Sequence, residues 1–137
     1  MPLRIKAGTA MGMGDVRKSV TPKFGLLAPA RQGGSVATRY FMPWKTHPTM
    51  AVTGSQCLAS CVLTPGTVAD GLVKRPAHSP AKITLEHPMG LMDVLVDYQL
   101  NGDEFEHKSA GLIRTCRKIA QGQIFIPSEV WDGRTRR

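Results

Sequence analysis

The residues with the clearest chemical potential are Thr53-Gly54-Ser55, which follow a proline-rich approach and precede an apolar run. Thr53 or Ser55 can cap a helix, and apolar positions then recur at helical spacing until Pro65. The pattern predicts a tight turn that leads into a buried helix, with free backbone N–H groups at all three residues. Such a terminus attracts carboxylate or phosphate, because its unpaired donors and the helix dipole point the same way. The alternative is that the three residues only cap a core helix.

Two residues of the approach could also contact an anion. His47 lies in the loop between Thr46 and Pro48, where an imidazole can donate to a carboxylate or titrate near neutrality. Lys45 could attract the same anion. The alternative for both is a solvent-exposed loop position, since loops lie mostly on the surface. His47 is the one candidate for a catalytic role, and no other catalytic residue is predicted in this chain.

The three cysteines do not predict a disulfide framework or a metal site. Cys57 and Cys61 lie four residues apart, which places both on one face of the predicted helix. We expect reduced thiols buried as small apolar groups, with Cys57 facing the core. A zinc site would need further ligands, and His47, His87 and Cys116 show no closed-site spacing. No metal is therefore predicted.

Composition places the chain among ordinary globular domains. It has 137 residues and a formal charge of +8, with three arginines near its end and the other basic residues scattered. This distribution does not favour a nucleic-acid partner, and it could instead steer small organic anions to a cleft. The sequence has neither an apolar run of about 18 residues nor a secretory h-region, so no membrane association is expected. A cytoplasmic location is predicted, or a mitochondrial one if a longer precursor exists.

The elements around the organising turn predict a mixed, mostly antiparallel sheet with one central helix. Asn101-Gly102 is a strong hairpin signal, and residues 114–121 are compatible with either a helix or a strand. Residues 65–80 are predicted to form an exposed connector. A first helix is expected at residues 3–13, strands at 24–28, 35–42, 81–86, 92–98, 105–115 and 124–126, and a loose basic tail at 128–137.

Several motifs, in order, resemble the carboxy-terminal half of the PrpF family. Its members include 2-methylaconitate isomerase, aconitate isomerase and 4-oxalomesaconate tautomerase, which are similar in fold to diaminopimelate epimerase. The clearest motif is Ala-Val-Thr-Gly-Ser-x-Cys-Leu-Ala at residues 51–59. The other matching stretches are Ala10-Met-Gly-Met-Gly-Asp-Val, Pro22-Lys23, Ile83-Thr-Leu-Glu-His-Pro-Met-Gly and Ile113-Arg-Thr-Cys-Arg-Lys, which runs into Gly122-Gln-Ile-Phe-Ile-Pro.

The resemblance implies an α+β fold: a diaminopimelate epimerase-like half-barrel, a mostly antiparallel sheet wrapped around one central helix. Residues 1–127 would form a single, incomplete carboxy-terminal domain, and residues 128–137 the loose tail. In such a fold two similar domains face each other across the ligand. We therefore expect an amino-terminal epimerase-like half, or a second copy of the chain, to complete the cleft, and we expect the isolated chain to be inactive.

The implied function is cofactor-independent isomerisation of unsaturated tricarboxylates by proton transfer, as a cis–trans conversion or a tautomerisation. Ala51 stands where diaminopimelate epimerase carries a reactive cysteine, so this chain is expected to hold substrate and not to move protons. Met89 also replaces the small hydroxyl residue common in the family's His-Pro-x-Gly turn. The alternative is a non-catalytic remnant or a tricarboxylate-binding module. The predicted substrate-binding residues are Lys45, His47, Thr53, Gly54 and Ser55.

Overall fold

The computed structural model describes residues 2–102 and 104–134. These residues contain two helices and six strands, and neither helix is long and apolar enough to cross a membrane. In chain order the elements are α1 (Pro2–Ala10), β1 (Phe24–Pro29), β2 (Val36–Met42), β3 (Lys45–Thr46), α2 (Val52–Leu63), β4 (Ala81–His87), β5 (Gly90–Asn101) and β6 (Glu104–Leu112).

The strands form one sheet in the order β1-β2-β4-β5-β6, with β3 paired to β2. Only β2 and β4 run parallel among these pairs; the others are antiparallel. The connection between β2 and β4 contains α2, as a parallel pair requires a long crossover. Helix α2 packs against β4, β5 and β6. The predicted mixed, mostly antiparallel sheet around one helix is therefore confirmed.

The core lies between α2 and one face of the sheet. Alternation along β5 directs Met92, Val94, Val96 and Tyr98 inward, and none of them is more than 6% exposed. They pack in one buried cluster with apolar residues of the helix. Apolar residues repeat every 2 positions along the strand and about every 3.6 positions along the helix, on the two faces that pack together here. For this reason the sequence pattern predicts both elements correctly. The helix contributes Ala59, Val62 and Leu63, each fully or nearly fully buried.

The connection between β1 and β2 wraps around a single buried carboxylate. Glu86 on β4 is 4% exposed, and its Oε1 accepts backbone N–H bonds from Gln32 at 2.6 Å and from Gly34 at 2.8 Å. Its Oε2 accepts a third from Arg31 at 2.8 Å. These bonds favour the ionised form, with the Arg31 N–H contributing most, and they hold the pKa of Glu86 below its usual value although burial opposes them.

Helix α1 lies apart from the central helix and is held by one arginine. The guanidinium of Arg4 is 4% exposed and donates to the carbonyls of Val16 at 2.7 Å, Thr21 at 3.1 Å and Ser19 at 3.2 Å. The helix ends at Ala10 and not at residue 13, because the next turn places Gly12 at a φ of 71°.

We expect Arg4→Met to lower the free energy of unfolding by about 2 kcal/mol or more, because buried hydrogen bonds from a charged donor contribute about 1.5–3 kcal/mol. The matched control is Lys6→Met on the exposed face of the same helix. Urea denaturation measures both. If both substitutions lower the free energy of unfolding by equally small amounts, the hydrogen bonds from Arg4 to the three carbonyls do not stabilise the fold measurably.

Three predictions about the end of the chain differ from the structure. Strand β6 ends at Leu112 and not at residue 115, and residues 114–121 form neither helix nor strand. The strand predicted at 124–126 is wrong, because an isolated strand needs a neighbour for its backbone groups and none of the described residues pairs with it. The division into a domain at 1–127 and a tail at 128–137 stays a prediction, and residues 135–137 lie outside the described ranges.

Candidate functional site

Helix α2 begins one residue before the predicted turn. Ala51 occupies the N-cap position with extended backbone angles, and no side chain caps the helix, so the prediction that Thr53 or Ser55 caps it is wrong. The N–H groups of Val52, Thr53 and Gly54 have no acceptor among the described residues, as expected for the first turn of a helix. These groups form the donor surface at the helix entrance.

Ser55 does not belong to this donor surface. Its N–H donates to the carbonyl of Ala51 at 2.8 Å and its hydroxyl to the carbonyl of Val52 at 2.6 Å, and the residue is fully buried. The prediction of a free N–H at Ser55 is therefore wrong. The reason is the helix start: the fourth residue already has a carbonyl four positions earlier. A substrate-binding role stays a prediction for Thr53 and Gly54, whereas both donors of Ser55 are occupied.

A cavity of about 360 Å³ opens at the entrance of α2, and we call it the helix-entrance cavity. The residues that line it include a lysine, Lys23, and two residues with hydroxyl groups, Tyr40 and Thr53. No acidic side chain lines it. The arrangement presents donors and one positive charge, which suits an anion. Its lining residues are Thr21, Lys23, Gly25, Tyr40, Thr53, Gly54, Cys57 and Leu58.

Tyr40 approaches the helix entrance closely because residue 54 has no side chain. A Cβ atom on Gly54 would lie 2.4 Å from Cζ of Tyr40 and 2.6 Å from its hydroxyl oxygen. The tyrosine is 7% exposed, yet its hydroxyl has no hydrogen-bond partner among the described residues. Burial, and then the neighbouring Cys57, raise the pKa of Tyr40 above its ordinary value. The hydroxyl therefore stays neutral at pH 7 and is available as a donor.

His47 lies against the edge of Tyr40 and is fixed by its own loop. The two ring centroids are 6.4 Å apart at an interplanar angle of 66°. The His47 N–H donates to the Tyr40 carbonyl at 2.7 Å, and its Nδ1 accepts the N–H of Thr49 at 3.1 Å. That hydrogen bond assigns the ring proton to Nε2. In this tautomer the free ring nitrogen of His47 is a donor and not a base.

A second histidine marks a group of basic side chains. His87 is 7% exposed, and its Nδ1 accepts the N–H of Met89 at 3.2 Å, which fixes the turn after β4. Burial lowers the pKa of His87, and the electrostatic influence of Arg114 and other neighbouring basic side chains lowers it further. His87 is therefore neutral at pH 7. The Arg39 and Arg114 side chains remain a positive surface around it.

The structure separates the residues that the sequence grouped together. Thr53 and Gly54 line the helix-entrance cavity, whereas His47 does not and meets it only through Tyr40. Lys45 is exposed on β3, outside the residues that line the cavity. Sequence reasoning missed Tyr40 and Lys23, because their proximity to α2 depends on how β2 and the segment before β1 pack around the helix. The alternation of residues along β2, which places Tyr40 on the inward face, was the one sequence signal that could have identified it.

The cysteines occupy different positions from those predicted. Cys57 is exposed and lines the helix-entrance cavity, so the prediction that it faces the core is wrong. Cys61 is half-buried against the core, and Cys116 is exposed. Helical spacing places Cys57 and Cys61 near one face but cannot tell which edge of that face the sheet covers. Within residues 2–102 and 104–134, no group of three or more His, Cys, Asp or Glu side chains could hold a metal ion.

Comparison with known proteins identifies the family of this chain. The sequence model of the family described as "PrpF protein" matches residues 2–127, which is most of the chain. The chain belongs to the PrpF family. This confirms the resemblance inferred from the motifs, including the turn at the entrance of α2.

Two curated relatives show how much of their length this chain matches. The chain is 39% identical over 125 residues to "Putative isomerase YbhH" of Escherichia coli strain K12, covering 91% of the chain and 35% of the relative. It is 35% identical over 124 residues to "(4E)-oxalomesaconate Delta-isomerase" of Novosphingobium sp. strain KA1, covering 90% and 34%. This PrpF chain therefore spans about a third of the length of the curated relatives it matches.

A solved structure confirms the fold. The crystal structure of methylitaconate-delta-isomerase superimposes with a TM-score of 0.63 at 18% sequence identity, covering 82% of this chain and 34% of that one. At this identity the match concerns the fold alone. The predicted α+β half-barrel of the diaminopimelate epimerase type is confirmed for this PrpF chain.

Proposed function

We propose that this PrpF chain supplies the carboxylate-binding part of an isomerase site for unsaturated tricarboxylates. The observation that carries the proposal is the helix-entrance cavity. Its lining includes Thr53 and Gly54, whose amides are unpaired among the described residues, together with Tyr40 and Lys23, and it includes no acidic residue. The relative named for oxalomesaconate supports an unsaturated tricarboxylate, and the structural neighbour named for methylitaconate, an unsaturated dicarboxylate, supports an unsaturated polycarboxylate more broadly.

Such an isomerase removes a proton from a carbon next to a carboxylate or carbonyl and returns one elsewhere. Negative charge spreads onto the oxygens in between, and fixed donors stabilise it more in a site that excludes water. The amides of Thr53 and Gly54 and the neutral Tyr40 hydroxyl are donors of this kind. The basic group around His87 offers a place for a second carboxylate of the same acid. No organic cofactor or metal is required for the proposed reaction.

The proton-transferring groups are proposed to lie in the part of the relatives outside the matched third. His47 supports this division, since its accepted N–H bond leaves it as a donor, and Ala51 has no proton to exchange. The second candidate function, a tricarboxylate-binding module or remnant without turnover, rests on the same observation. Conversion of cis-aconitate to the trans isomer, assayed with the chain alone and with the non-matching part of a relative supplied, separates the two functions.

Anion binding is tested first with propane-1,2,3-tricarboxylate, a saturated acid that cannot isomerise. We expect calorimetry to detect binding, and Lys23→Gln to weaken it about three- to tenfold, the effect of removing one partly solvated charge contact. The control is Lys45→Gln, which removes an equal charge outside the cavity and should leave affinity within about twofold. Equal losses from both lysines would place the anion elsewhere, and no heat with the wild-type chain would contradict the proposal.

A further inference from the structure

Another cavity lies between α1 and the sheet, and we call it the α1 cavity. Its volume is about 260 Å³. Sites for drug-sized ligands typically measure about 300–1,000 Å³, so the α1 cavity suits a smaller molecule. One arginine and five apolar residues line it: Leu3, Arg4, Phe24, Leu26, Phe41 and Pro43.

The α1 cavity and the helix-entrance cavity lie on opposite faces of the β1–β2 pair. Successive residues of a strand point to opposite faces of the sheet. Gly25 and Tyr40 line the helix-entrance cavity, whereas their neighbours Phe24, Leu26 and Phe41 line the α1 cavity. The two cavities share no lining residue. A ligand of the α1 cavity would therefore be separate from the proposed tricarboxylate.

Arg4 is a buried cation without a counter-charge. It is 4% exposed, and it forms no ion pair with any Asp or Glu of residues 2–102 and 104–134. Its two terminal nitrogens donate to three backbone carbonyls, but its Nε is buried and has no hydrogen-bond partner in the described chain. A buried charge without an opposite charge and a buried donor without an acceptor are both unfavourable. A carboxylate in the α1 cavity would supply the counter-charge and the acceptor that the guanidinium lacks.

The other walls of the cavity suit an apolar body. Leu3 on α1 is 67% exposed and Leu26 on β1 is 49% exposed, although both line the same cavity. A ligand that covers them removes this apolar surface from water. Helix α1 is held in place as one wall, because a Cβ atom on Gly8 would lie only 2.6 Å from Cγ2 of buried Val16, and because Arg4 is bonded to the segment after the helix.

We propose that the α1 cavity binds a small monocarboxylate with an aromatic body. The carboxylate lies at the Arg4 guanidinium, and the ring packs against Phe24, Leu26 and Phe41, two of which are themselves aromatic. One negative charge matches the single buried cation. A di- or tricarboxylate fits less well, because its further charges would be desolvated against apolar residues. This binding site is independent of the proposed isomerase function.

The probe is 3-phenylpropanoate, and the matched ligand is its neutral amide, which has the same shape. Calorimetry with the full chain should give an affinity for the carboxylate about tenfold or more above that for the amide, because a bond between two charged groups is the stronger one. In nitrogen-15 NMR spectra the carboxylate should shift the Nε–H signal of Arg4. That signal is assigned through the arginine side chain itself, so the measurement does not depend on the folding of an Arg4 variant.

Two substitutions locate the bound probe. Leu26→Asp places a negative charge in the cavity wall and should weaken binding of 3-phenylpropanoate about tenfold or more. The matched control is Leu91→Asp on β5, since Leu91 has a similar exposure of 52% and lies outside the cavity. This control should leave the affinity within about twofold.

Four results would overturn the proposal. Absence of heat with the wild-type chain is one, and equal affinities for the carboxylate and the amide, which would make Arg4 irrelevant, are another. A third is a large loss of affinity in Arg39→Gln, which would place the carboxylate in the neighbouring cavity on the same face of the sheet. The fourth is displacement of the probe by propane-1,2,3-tricarboxylate, which would place it in the helix-entrance cavity. Tricarboxylate binding is measured separately with Lys23→Gln, so failure of either proposal leaves the other intact.

Discussion

Gly54→Ala is expected to lower the free energy of unfolding by about 1–3 kcal/mol, the usual effect of forcing extra volume into a packed site. In an exposed helix the same change would stabilise by about 0.5–1 kcal/mol. The clash should outweigh this gain, because the new Cβ would lie 2.4 Å from a buried tyrosine ring and not from a flexible chain end. Gly54→Val should cost more and should also close the helix-entrance cavity to tricarboxylate. Urea denaturation and calorimetry measure the two effects.

The control for Gly54→Ala is Gly111→Ala on β6, where a Cβ would meet nothing within 4 Å. That change should stay within about 0.5 kcal/mol. A double-mutant cycle then identifies the cause: in a Tyr40→Leu background the cost of Gly54→Ala should shrink, since the ring that causes the clash is gone. An equal cost in both backgrounds would show that Gly54 is needed for a reason other than the approach of Tyr40.

Glu86→Gln is expected to lower the melting temperature by several degrees at neutral pH. The amide keeps the size of the carboxylate but replaces one acceptor oxygen by an NH₂ donor, so at least one of the three backbone N–H groups from residues 31, 32 and 34 would face another donor. The loop between β1 and β2 should loosen with it. Thermal unfolding followed by circular dichroism measures the change.

The destabilisation caused by Glu86→Gln should depend on pH, and the lowered pKa of Glu86 sets the direction of that dependence. The hydrogen bonds from Arg31 and its neighbours lower the pKa of Glu86 from its ordinary value of 4.5, so the carboxylate stabilises the fold above that pH. The contribution is lost as pH falls through the lower, folded-state pKa. The difference between wild type and Glu86→Gln should therefore be largest at neutral pH and shrink below about pH 4.5. Exposed Glu106→Gln on β6 is the control, and a difference that does not vary with pH would contradict the assignment.

The candidate site shows which structural features local sequence patterns predict and which they do not. Helical spacing and the Thr-Gly-Ser turn predict that α2 exists and that its first turn carries free donors at Thr53 and Gly54. They do not predict the start at Val52, and that single residue decides whether Ser55 donates to a ligand or to the carbonyl of Ala51. Residue patterns locate a helix end only to within about two residues, so they do not decide between these two roles of Ser55.

By itself, the sequence determined the order of both helices and of five of the six strands, the alternating faces of β4 and β5, and the PrpF membership. These follow from periodicities and motifs that act over a few residues. Only the tertiary structure decided which groups meet: Tyr40 at Gly54, Lys23 in the same cavity, His47 outside it and Cys57 exposed. The physical reason is that these contacts join residues far apart in the chain, and their geometry depends on how the sheet packs around α2. The same reason explains why the strand predicted at 124–126 is wrong: the apolar pattern favours a strand, but none of the described residues pairs with it.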